Sequence, residues 1–133
     1  MSEDVYRQLL AVLQELRRIP DVIAVALARR DGLLIASALP KSMDPKRIAA
    51  MAAAIVGTSE MAADEMGLGQ FFQSIVDSGS GKILATGAGE EAIVITMVRP
   101  DANMGLVLLS VGRAVEAVVN LLEGTVRAEE VSV

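Results

Sequence analysis

Between Arg47 and Glu60 the chain runs for twelve residues, from Ile48 to Ser59, without a single charge. Asp44 is placed to cap a helix here and Pro45 suits its first position, and the pattern continues to Met66 before Gly67. Twenty-two helical residues span about 33 Å. A helix on a small domain normally carries one apolar stripe and one charged face, and a helix that is apolar all round is covered on both sides. With 133 residues the chain makes one domain, and little of it is left to cover the second side. A second copy resolves the conflict: its own helix packs against this one, and the alanines and Gly57 allow close approach. The alternative is an Ala-rich helix that leaves small methyl groups in water.

The remaining segments have clear local signals. Residues 3–18 carry Tyr6, Leu9, Leu10, Leu13 and Leu16 at helical spacing, with Ser2 as cap, Glu3 and Asp4 in the first turn, Arg17 and Arg18 in the last, and Pro20 beyond. Val22–Arg29 and Leu33–Leu39 flank Asp31-Gly32 and predict a β-hairpin. Three strands follow at 70–77, 82–88 and 91–99, separated by Ser78-Gly79-Ser80-Gly81 and Gly89-Glu90. The last segment is ambiguous by pattern, since Leu106-Val107-Leu108-Leu109 also suits a strand, but Val115, Val118, Leu121 and Leu122 keep helical spacing and it is read as a helix capped by Asn103. Gly124 is expected to close it, which leaves residues 1–124 as the domain and 125–133 as a short charged tail.

The self-association surface follows from these elements. On the long helix, Met51, Ala52, Ile55, Ser59 and Ala62 form the expected interface stripe. In the strand at 70–77, Phe71, Gln73 and Ile75 share one face and Phe72, Ser74 and Val76 the other, so apolar groups lie on both. Such a strand suits pairing across a dimer axis, with Phe72, Ser74 and Val76 in the interface.

Composition removes several classes of function. There is no Cys and no His, so thiolate catalysis, disulfides, Ser-His pairs and nearly all structural zinc sites are excluded. A net charge of −5, with one Tyr, two Phe and no Trp, leaves neither a basic footprint nor base-stacking rings for nucleic acid. The acidic start and the lack of a long uncharged run give an expectation of a cytoplasmic protein without membrane insertion.

The order helix, hairpin, long helix, three strands, helix resembles the roadblock/LC7 family over residues 3–123. Asp101-Ala102-Asn103-Met104-Gly105-Leu106 is similar to that family's Asp-x-Asn-x-Gly-Leu signature, here with Asn103 able to cap and Gly105 expected to let the first turn sit tightly on the sheet. The resemblance implies an α+β, profilin-like domain: a five-stranded antiparallel sheet with the long helix on one face and the terminal helices on the other. It also implies dimers joined through the third strand and the long helices. It further implies a platform for other proteins, with a small Ras-like GTPase as the expected partner of a prokaryotic member, and no cofactor. An adaptor subunit in an assembly without a GTPase is the alternative.

Other chemistry is weaker. Gly79-Ser80-Gly81-Lys82 lacks a glycine at 76, which is Val, and has Ile83 after the Lys, so it is a turn rather than a phosphate loop. Gly87-Ala88-Gly89 is likewise read as a turn. Asp64-Glu65, Glu90-Glu91 and Glu129-Glu130 sit at a helix end, a turn and the tail, where carboxylates are solvated, so carboxylate-bound metal catalysis is a minor alternative. Arg29, Arg30, Arg47, Arg99 and Arg113 are candidates for reaching a partner's nucleotide, but none is singled out by its neighbours. The expectation is a protein that is not an enzyme and binds no metal.

Overall fold

The computed structural model describes residues 1–131, with side chains through Gly124. Helix α1, Glu3–Arg17, begins where the Ser2 hydroxyl accepts the Val5 N–H at 3.2 Å. It buries Leu9, Leu13 and Leu16. Strands β1, Val22–Arg29, and β2, Leu34–Ala38, form the first hairpin. Gly32 adopts φ +94° in the turn, a conformation that a side chain strains. Helix α2, Pro45–Glu65, starts with the Asp44 carboxylate accepting the Lys46 and Arg47 N–H groups. Strands β3, Gln73–Ser78, β4, Gly81–Ala88, and β5, Ala92–Val98, precede helix α3, Met104–Val131.

All pairings are antiparallel and the sheet order is β2-β1-β5-β4-β3. Strands β1 and β5 are central and covered on both faces, which is why they read as continuous apolar runs instead of alternating ones. α2 crosses one face and touches every strand, while α1 and α3 pack together on the other face. The two faces hold different cores. Against α1 and α3 lie Leu9, Leu13, Leu16, Leu27, Leu84, Val107 and Val111. Against α2 the core is narrower and built around Ala26, Ala28, Ala49, Ala52, Val56 and Ala85, with Ile93 and Ile95.

The end of α3 differs from expectation. The helix runs past Gly124, which lacks the positive φ of a terminating glycine. A glycine inside a helix costs about 1 kcal/mol relative to Ala, which a packed helix tolerates. The charged tail assigned to 125–133 lies beyond the described side chains, and residues 132–133 lie outside the described residues altogether. The stretch Met104–Gly124 is also long and apolar enough, by composition, to cross a membrane. Val107, Val111, Ala114 and Val118 of this helix are buried in the core, whereas Leu106, Leu108 and Leu109 are exposed.

Candidate interaction surface

The charge-free turns of α2 have two sides with different fates. Ala49, Ala52 and Val56 are buried on the sheet, so Ala52, expected in an interface between copies, faces its own chain instead. The reason is geometric: periodicity marks an apolar helix but does not say which of its apolar sides meets the sheet. Ile55 is half-buried and packs against that same core, and Ser59 is half-buried beside it. Met51 and Ala62 are exposed, as expected for an outward surface, and so are Ala50, Ala54, Gly57, Thr58 and Met61. Met61 at 73% and Met66 at 72% exposure belong to this surface and were missing from the sequence-derived stripe.

The direction in which the stripe faces is set by two contacts. The Ser59 hydroxyl donates to Ile55 O at 2.7 Å and lies 2.6 Å from the Ser74 hydroxyl on β3. Ile55, Ser59, Ala62 and Met66 share a helical stripe, so this flank leans over β3. The opposite flank, at Ala50 and Ala53, lies beside Gly32 in the first hairpin.

β3 is one edge of the sheet and β2 the other. Phe72, just before the strand, and Ile75 and Val76 on it are exposed by 71%, 46% and 37%, large values for apolar groups. Ser74 meets α2, whereas Phe71, on the opposite parity, is also packed in the α2 core. The expected alternation therefore breaks before Gln73, where the strand begins and its ladder with β4 starts.

The Asp101–Leu106 motif has a local structural role. Asn103 Oδ1 accepts the Leu106 N–H at 3.2 Å, as a cap should, and the Asn103 N–H donates to Asp21 at 2.9 Å. Asp101 forms an exposed ion pair with Arg99. Gly105 does not pack on the sheet: only Asn103 Oδ1 would meet a Cβ there, at 3.5 Å, in ordinary contact. Leu106 is 46% exposed.

The arginines separate cleanly. Arg29, Arg30 and Arg99 are paired with Asp31, Glu60 and Asp101, while Arg47 and Arg113 have no ion pair among the described residues. Arg30 also donates to Gly89 O at 3.0 Å, and its guanidinium lies 2.9 Å from where a Cβ on Gly87 would be. Gly87 is thus a strand residue beneath an arginine, and only Gly89 of the Gly-Ala-Gly segment, with φ +68°, makes the turn. No group of three or more carboxylates among the described residues converges to hold a metal.

The model of the roadblock/LC7 domain matches residues 9–98. The chain belongs to the roadblock/LC7 family. Among the proteins this family member is similar to is an uncharacterised protein of Methanocaldococcus jannaschii, MJ1340, 36% identical over 107 residues that cover 80% of this chain and 93% of that protein. The fold is also that of Myxococcus xanthus MglB, with a TM-score of 0.86 at 22% identity over 93% of this chain and 94% of that one. The gliding protein MglB of Thermus thermophilus matches similarly, with a TM-score of 0.85 at 23% identity over 93% and 95% of the two chains. The expected five-stranded antiparallel sheet between one long helix and two terminal helices is the architecture found.

Proposed function

We propose that this roadblock/LC7 domain is a non-enzymatic, cytoplasmic homodimer that scaffolds or regulates a small Ras-like GTPase. The observation that carries the reading is the continuity of two uncovered surfaces: the charge-free flank of α2 and the free apolar edge of β3. Pairing β3 with its copy satisfies an exposed row of backbone groups, and the same movement brings Met51, Ile55, Ala62 and Met66 against their equivalents. The outer crest of the helix pair, with Ala54, Thr58 and Met61, remains free for a partner. Prokaryotic members of the family act with Ras-like GTPases, which supports that choice of partner.

The test has two stages. Light scattering should give a dimer mass. Affinity purification with mass spectrometry should then recover a GTPase whose binding is lost when Thr58 or Met61 is replaced by Arg; a complex without any GTPase would instead favour the adaptor role. Because an arginine finger contributes about 10³–10⁵-fold to hydrolysis, Arg47→Ala and Arg113→Ala should alter single-turnover rates far less than that. A loss near 1000-fold at unchanged affinity would make the protein catalytic.

A further inference from the structure

Past the favourable Asp44 cap, the charges in the first and last turns of α2 run against the dipole of the helix that bears them. Aligned peptide dipoles favour acids at a helix start and bases at its end, and α1 obeys with Glu3 and Asp4 first and Arg17 last. α2 has no acid in its first turn and no base in its last. Lys46 and Arg47 stand at its start instead, and Asp64 and Glu65 at its end. Helix stability does not account for this inversion.

Tertiary structure enlarges each charged end with residues from other elements. Beside Pro45, Arg17 and Arg18 of α1 and Lys41 of the connecting loop line a shallow hollow together with Leu39, Pro40 and Met43. At the far end, Glu60, Asp64 and Glu90 line a second hollow with Met61, Phe71 and Phe72. Arg30 is in that second hollow, held by Glu60 and Gly89. Among the described residues, Arg17, Lys41, Lys46 and Arg47 have no acidic partner in ion-pairing range, and Asp64, Glu65, Glu90 and Glu91 have no basic one. The length of α2 separates the two sets by about 30 Å. That is several times the ~8 Å screening length at physiological salt, so the ends do not neutralise each other within one copy.

We infer that the basic end of one copy docks on the acidic end of another. The first hollow combines positive charge with Leu39, Pro40 and Met43, and the second, where Glu60 holds Arg30, combines a net negative charge with Phe71 and Phe72. The contact joins unlike surfaces and leaves one basic and one acidic end unused, which makes it open-ended. It differs from pairing through β3 on its basic side, which borders β2 at the opposite edge of the sheet, whereas the acidic hollow lies beside the start of β3. It needs no GTPase. Association built on such charges is weak and steeply salt-dependent.

Sedimentation velocity of the full chain tests this. At about 20 mM salt the sedimentation coefficient should climb with protein concentration beyond the dimer, and at about 0.5 M salt, where screening falls to a few Å, it should stay flat. The double variant Lys41→Glu/Lys46→Glu should lose the climb while becoming no less thermally stable, since the second change follows the helix dipole. The double variant Asp64→Lys/Glu90→Lys should lose it too, and mixing the two variants should restore it. A flat wild-type profile at low salt, a climb that survives high salt or either double substitution, or a mixture that stays unassociated would overturn the inference. Met51→Glu, aimed at the α2 flank, should leave the salt-sensitive climb in place, so failure of the dimer and failure of this contact are told apart.

Discussion

α1 and α2 are both amphipathic by packing, yet they are built on opposite rules. α1 presents leucines to a wide core, charges to water and favourable charges at both ends. α2 presents alanines to a narrow core, methyl and thioether groups to the outside, and, past its Asp44 cap, unfavourable charges in its first and last turns. The first helix is optimised within its own chain. The second leaves apolar groups uncovered within one copy, and that is the basis of the proposed interface.

The contrast is most exposed by deletion and insertion in the two cores. Leu13→Ala on α1, a fully buried residue, should cost about 3 kcal/mol of folding stability in denaturant titration by leaving a cavity. A cost below about 1 kcal/mol would show that the α1 side collapses readily. On α2, Met51→Glu should weaken dimerisation at least about 100-fold, on the order of 3 kcal/mol, by placing an unpaired charge in an apolar contact. Met51 is 52% exposed in one copy, so its own fold should survive; Ile55→Glu should also yield monomer or aggregate, but it strikes the α2 core as well. A stable dimer of the Met51 variant on light scattering removes this flank from the interface.

Smaller effects refine the comparison. Ala52→Leu, 2% exposed where α2 meets the sheet, should destabilise by about 2 kcal/mol through overpacking. If the melting midpoint does not fall, α2 has slack that the Ala-rich contact does not suggest. Thr96 is fully buried with no partner for its hydroxyl among the described residues and, opposite Leu84, faces the α1 and α3 core. Thr96→Val should therefore stabilise by about 1 kcal/mol in the same titration. At the ends of the helices, Glu3→Gln should lose a few tenths of a kcal/mol and Lys46→Glu should gain as much, in low salt. Equal signs for this last pair would dissolve the distinction drawn between the helices.

The sequence by itself determined the order of elements, the Ser2, Asp44 and Asn103 caps, the hairpin at Gly32 and the existence of a helix with no charged face along its middle. These are local properties, fixed by side chains within a few residues of the backbone groups they satisfy. Only the tertiary structure decided that Ala52 turns inward while Met51 and Met61 turn out, because one apolar helix offers several sides and the sheet selects among them. Only it placed β3 at the edge, since strand order depends on which ladders form between distant segments. It likewise joined Arg30 to Glu60 and Gly89, over the bare backbone of Gly87, and gathered Arg17 and Lys41 beside the start of α2. Charges such as these carry no periodic signal, and their meaning arises from how the packed elements bring their ends together.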